Sequence, residues 1–405
     1  MTEFHIQYPK SKILIAGAGP AGASLAIRLA EQGFQVCLIE RDKFPRHKLC
    51  GEFISPECLR HFGELGVLDS MLAAGGERIV ETVFYAANGK NVRVPSAWFS
   101  GVGGALSLSR AEMDFRLTEK AKASGVEFLE ETQIVGVFRD DKKVCGVKAK
   151  NKSGETFEIA ADLFVDATGR ANVLGKLAEK SKIQDSKPEI QNLKSKIQNR
   201  LVGFKTHLAN AALEKNCCEI YFFPGGYGGL SQVEDNLANH CFLIKAETVK
   251  KFGGNANEIV KSVIFHNERA RETLKNAAPI LDWLAVSVDG FGVKNLNPAE
   301  NLFSVGDAAA FIDPFTGSGM LMALESAEIL SDCIVRYCSI PEQIADNYRI
   351  SHRDKFQKRL RVCAFLRGAA FVPAFAGLAI SALSVSRAAQ MFLARATRPE
   401  ISGFN

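Results

Sequence analysis

The feature that most constrains this chain is the stretch KILIAGAGPAGASLAIRLAEQGFQVCLIE over residues 12–40. An apolar run turns at once into Gly17, Gly19 and Gly22, continues as a helical pattern, and is followed by a second apolar run that ends in Glu40. Each position has a physical task. Gly17 makes the sharp turn out of the strand, Gly19 leaves room for a pyrophosphate against the backbone, and Gly22 lets helix and strand approach closely. Helix-terminal N–H groups then face the phosphate charge. Glu40 lies 18 positions past Gly22, where a carboxylate accepts hydrogen bonds from an unphosphorylated adenosine ribose. A glycine triplet alone marks only a turn; this strand, helix, strand and acid setting marks a dinucleotide site.

Composition excludes several other classes. A chain of 405 residues with 47% hydrophobic and 23% charged residues is a folded protein of two or three regions, not a disordered tail or a polytopic membrane protein. A net charge of +5 is slight for this length, and no basic stripe carries interleaved aromatics, so no nucleic-acid partner is expected. The ten cysteines form no CxxC pair and the seven histidines no HExxH, which reads as reduced thiols and no metal. The polar residues 1–12 lack a secretory pattern, so the expected setting is cytoplasmic. Residues 368–386 are uncharged between basic flanks, which admits buried helices over the substrate region, peripheral attachment to anionic lipid, or a span.

Further along, a basic loop carries Arg41, Arg46 and Lys48, which suit phosphate neutralisation or simply a solvated loop, and Cys50 stands beside Gly51 with no base nearby to activate it. A strand ending at Ser109 leads to a helix opening at Arg110, which either anchors a cofactor or pairs with Glu112 or Asp114. Asp166, Gly169 and Arg170 end another apolar strand, in DATGR. Asp307 ends a third, in SVGD, and DPFTGSGM then opens an apolar helix.

Together GAGPAG, FPRHKLCGEFISP, DATGR and DPFTGSGM resemble the FAD enzymes of the para-hydroxybenzoate hydroxylase fold. The DATGR and CGE wording is similar to the geranylgeranyl reductase and flavin-dependent halogenase branches. The resemblance implies an α/β protein: a Rossmann-like FAD-binding domain of the glutathione-reductase type, an inserted antiparallel β-sheet substrate domain and a helical C-terminal region. The expected segments are FAD binding over 1–80, 110–178 and 296–340, substrate strands over 81–109 and 201–295, a mobile insertion over 179–200, and C-terminal helices over 341–405. It implies pyrophosphate contacts for Gly17, Gly19 and Gly22, ribose contacts for Glu40, phosphate or ribityl contacts for Arg110 and Asp307, and flavin-edge contacts for Pro314, Gly317 and Gly319. The expected cofactor set also includes Arg41 at a phosphate, Asp166 in a turn closing over the dinucleotide, and the Ser318 and Met320 backbone N–H groups facing the flavin.

On the substrate side, Tyr221, Phe222, Phe223 and Tyr227 form either an apolar wall opposite the flavin or ordinary core, with Pro314 across the ring edge. The YFFP stretch is similar to the YxWxFP of prenyl reductases, with Phe223 in place of the tryptophan and Pro224 two residues early. The first expectation for function is NADH- or NADPH-linked hydroxylation of a hydrophobic, aromatic or phenolic molecule through oxygen added at flavin C4a. The alternative is reduction of isoprenoid C=C bonds, and halogenation stands third. The expected assembly is a monomer or homodimer, with peripheral membrane contact through the C-terminal region as the alternative to a wholly cytoplasmic life.

Overall fold

The computed structural model describes residues 11–99, 104–182, 200–338, 340–370, 377, 380–381, 383 and 386–396. The expected insertion and the uncharged C-terminal stretch therefore fall largely outside the described residues.

Strand Ser11–Ala16 is buried on both faces and alternates between them, Ile13 and Ile15 entering one core and Leu14 and Ala16 another. Two-sided burial requires layers above and below, and the sheet supplies them. Parallel strands Glu127–Leu129, Val36–Ile39, Ser11–Ala16, the second half of Thr156–Asp166, and Leu302–Ser304 lie side by side. Helices Pro20–Glu31, Arg110–Ala123 and Gly319–Tyr337 cover one face. The first half of Thr156–Asp166 turns into an antiparallel ladder with Lys143–Asn151 and Thr132–Asp140, and helix Val173–Lys182 packs with that layer on the other face. Asn301 ties the layers together: Oδ1 accepts the Val144 N–H at 2.8 Å, and Nδ2 donates to the carbonyls of Val144 at 2.9 Å and Asp162 at 2.8 Å.

The second sheet has eight strands in the order Ala278–Pro279, Leu201–Ala209, Ala238–Lys245, Gly226–Gln232, Cys217–Phe223, Glu81–Tyr85, Asn91–Pro95, with Leu284–Val288 also on Leu201–Ala209. It is mixed rather than purely antiparallel, because Cys217–Phe223 runs parallel to Glu81–Tyr85. That pairing joins chain segments more than 130 residues apart, which no hairpin can do. The strands expected over 81–109 also divide: Ala105–Ser107 leaves this sheet and pairs with Phe53–Ile54 and Glu77–Ile79. Helices Ala256–Ser262 and Glu268–Leu274 bury one face of the large sheet, and its other face turns toward the first domain. The C-terminal helix Pro341–Ala370 docks on Gly319–Tyr337 through a buried Arg359–Glu325 pair at 2.9 Å, and the Tyr348 hydroxyl donates to the Ser304 carbonyl at 2.8 Å. Among the described residues no helix is long and apolar enough to cross a membrane.

Asn301→Ala removes three hydrogen bonds, two of them buried, so we expect a loss of about 2–3 kcal/mol. A clear drop in the urea-unfolding midpoint is the check.

Candidate active site

The three glycines at the end of the first strand are required for three different reasons. Gly17 has φ +98°, and a Cβ there would lie 2.5 Å from the Ala167 carbonyl oxygen. A Cβ on Gly22 would fall 1.8 Å from the Gly17 oxygen. At Gly19, by contrast, a Cβ would meet only Arg110 Nη2, at 3.5 Å; the space beyond belongs to a cavity. Glu40, buried at the end of its strand, accepts from the Ala18 N–H at 3.1 Å and from Arg46 at 3.2 Å. It therefore also braces the glycine turn.

Arg46 also reaches Asp114 at 2.6 Å, and Arg110 holds the same carboxylate in a fork, at 2.9 and 2.7 Å. Anchor and ion pair, left open in the sequence, coexist: Asp114 pairs with Arg110 and so aims it beside Gly19. Burial opposes the Arg110 charge, but Asp114 more than offsets this and keeps the guanidinium raised in pKa. Arg41 is at the rim, largely exposed, 3.5 Å from Asp42, and Lys48 pairs with Asp42 at 2.5 Å.

The wall opposite is Ala167–Ala171. Asp166 is not part of it: one carboxylate oxygen accepts from the Thr168 N–H and hydroxyl at 2.9 and 2.6 Å, the other from the Gly175 N–H at 3.0 Å. The expected ligand contact is corrected to a positioning role, because the side chain is used up in shaping the turn. Burial raises its pKa despite these bonds. Asp307 does line the cavity, and its carboxylate accepts no hydrogen bond from the described residues. Burial raises its pKa against the nearby Arg170, Lys294 and Arg110 charges. Pro314, Gly317, Gly319 and Met320 line the next stretch of wall, Gly317 at φ +61°, while Ser318 is fully buried behind them at the start of the helix.

The cavity, about 880 Å³, continues from this groove onto the large sheet. Side chains alternate along a strand, so Cys218, Ile220 and Phe222 face the cavity, whereas Tyr221 and Phe223 point into the core on the far side. The expectation that Tyr221 and Phe223 wall the substrate is thus corrected. Tyr221 instead donates to buried Glu219, and its ring lies 6.0 Å from that of Tyr85. Tyr227 does face the cavity and donates to Asp313 at 2.6 Å. Phe84, Val92, Val94, Val286, Val288, Phe311 and Phe315 complete the expected apolar chamber, and none of them was singled out from the sequence.

A charged cluster was also missed. Glu52, at the cavity wall, accepts from Lys205 Nζ, from His207 Nε2 at 2.7 Å and from the Arg110 backbone N–H at 2.8 Å. All three side chains are buried. Burial pushes the Glu52 carboxyl up, but His207, Lys205 and the Arg110 N–H hold it below the usual carboxylate range. The one local signal was Lys205 and His207 two apart in a strand, hence on the same face.

The FAD binding domain family matches residues 10–335. Digeranylgeranylglycerophospholipid reductase of Methanosarcina acetivorans is 28% identical over 79% of this chain and 74% of its own length, and tryptophan 2-halogenase of Chondromyces crocatus is 24% identical over 91% and 69%. Among solved structures, flavin-dependent brominase Bmp2 superposes with a TM-score of 0.77 at 18% identity, covering 96% of this chain and 94% of that one. A geranylgeranyl bacteriochlorophyll reductase-like protein from Thermoplasma acidophilum also gives 0.77 at 18%, covering 95% and 96%. The residues present fit FAD: space at Gly19, a fixed cation beside it, and the Asp307 carboxylate open to the cavity.

A Cβ on Gly19 meets no protein backbone, so Gly19→Val should fold and yet lose most bound flavin; absorbance of the purified protein near 450 nm reports this. Asp307→Ala should weaken retention by about tenfold, the worth of one charge-assisted hydrogen bond, measured by FAD titration of the apoprotein.

Proposed function

The chain belongs to the FAD binding domain family, and on that premise we propose that it is an FAD-dependent reductase of C=C bonds in an isoprenoid lipid, drawing electrons from NADH or NADPH. The observation that carries the reading is the single cavity in which the dinucleotide groove opens into the apolar chamber. The phospholipid reductase relatives support the same reading, and reverse the order in which the sequence ranked hydroxylation and reduction.

Bound and reduced, FAD supplies the hydride. Gly17, Gly19 and the start of helix Pro20–Glu31 would hold its phosphates with Arg110, Glu40 would take the adenosine ribose, Asp307 would take the ribityl hydroxyls, and the Pro314–Met320 loop would border the flavin ring. Phe84, Phe222, Phe311 and Phe315 exclude water and receive the substrate chain. At about 0.8 kcal/mol per buried CH₂, a five-carbon isoprene unit contributes about 4 kcal/mol there without any polar contact.

Photoreduced enzyme mixed anaerobically with a polyprenyl lipid should reoxidise its flavin and yield a product heavier by two hydrogens per bond. Oxygen-18 in a product made under air, with none formed anaerobically, would favour hydroxylation instead. Phe222→Ala should retain FAD while lowering kcat/KM for the lipid about tenfold or more, in line with lost apolar contact; steady-state kinetics at matched flavin content reads this.

A further inference from the structure

Reduction of a C=C bond needs a proton as well as a hydride, and a dry chamber must import it. Lys205 and His207 stand on the cavity face of strand Leu201–Ala209, opposite Cys241 and Asn239 of the neighbouring strand. The loop after residue 46 folds over them, placing Glu52 between these side chains and the cavity. On the outer side, the exposed His47 ring lies edge-on to His207, centroids 5.2 Å apart. Exposed His47, buried His207 and cavity-lining Glu52 thus stand in series from solvent to chamber. A proton can pass between His207 Nε2 and Glu52 across 2.7 Å, and between the two imidazoles, which share no direct hydrogen bond, through one bridging water.

We propose that His47, His207 and Glu52 form a proton relay and that Glu52 hands its proton to the substrate carbon. This rests on the reductase reading above. As the π bond breaks, the Glu52 proton forms one C–H bond and a hydride from reduced FAD forms the other; the lipid is reduced, FAD is oxidised and Glu52 is left a carboxylate. It regains a proton from His207 Nε2, and His207 from His47 and bulk water. Lys205 is the fixed positive charge of the device, and with the Arg110 N–H it keeps Glu52 ionised at rest, so the proton is on Glu52 only in passing. The other carboxylate acting on His47 is Glu234, which accepts the Ser109 N–H at 3.1 Å. Burying an ion pair rarely improves stability over apolar packing, which favours a chemical reason for this one.

Two measurements on the full-length, FAD-loaded protein test the relay. In anaerobic single turnovers with a polyprenyl lipid, Glu52→Gln should slow flavin reoxidation by about 100-fold or more, the usual scale of general acid catalysis, and Glu52→Asp should recover part of the loss. His47→Ala, at an exposed position outside the cavity, should be slow in dilute phosphate and speed up saturably as imidazole is added. Exchange of the His207 ring proton with solvent, followed by NMR on histidine-labelled protein without substrate, should be at least about tenfold slower in His47→Ala and be restored by imidazole. Equal exchange rates in wild type and His47→Ala, or turnover by Glu52→Gln at the wild-type rate, would overturn the relay. A wild-type enzyme that hydrogenates no lipid would overturn the reductase reading, and the exchange measurement then judges the proton path by itself.

Discussion

The structure depends on the close approach of three backbones at the ends of three parallel strands. The turns at Gly17, at Ala167 and at Gly306 meet with no space for side chains: a Cβ on Gly17 would strike Ala167, one on Gly22 would strike Gly17, and one on Gly306 would lie 2.9 Å from the Ala21 Cβ. Because these turns come from residues near 17, 167 and 306, the contact also fixes how distant parts of the chain are assembled. A groove at the carboxyl ends of parallel strands follows from that geometry. Its lining then comes from backbone N–H groups and from the few side chains that border it.

Two groups of buried charge lie along that groove. Asp114 is enclosed between Arg46 and Arg110, Glu40 shares Arg46, and Glu52 gathers Lys205 and His207. The two groups join at one residue. The Arg110 side chain belongs to the first network and its backbone N–H to the second, because helix Arg110–Ala123 begins with that residue at the cavity wall. Each buried ion costs several kcal/mol to desolvate before its partners offset this. Placing both networks beside one cavity is understandable if the first fixes a cation for a phosphate and the second handles a proton.

What was legible in the sequence was whatever a short spacing determines. Strand, glycine turn, helix and acid follow one another within 30 residues, and the Ser109 start of a helix and the SVGD turn are equally local. Strand parity in CCEIYFF was not legible. Six of its seven residues are buried, so no polar alternation says which set faces the cavity, and the aromatics divide between two environments. Asp166 misled for a different reason: an acid after an apolar strand is expected at a ligand, but the Thr168 and Gly175 N–H groups were nearer. The Glu52 cluster depends on a partner 153 positions away, a pairing that only the folded sheet brings about.

The apolar chamber and the Pro314–Met320 loop are not independent parts. The Phe315 ring stands 5.8 Å from Phe84, 5.7 Å from Phe222 and 5.3 Å from Tyr227, three residues of the large sheet, while its own backbone N–H is held by Asp313. Asp313 in turn receives the Tyr227 hydroxyl. The parallel pairing of Cys217–Phe223 with Glu81–Tyr85 is what sets Phe84 beside Ile220 and so brings these rings together. Any molecule that fills the chamber must pack against Phe315, and Phe315 cannot shift without moving the loop that runs from Pro314 to Met320. The shape of the chamber and the position of the Pro314–Met320 loop are therefore set by one and the same set of contacts.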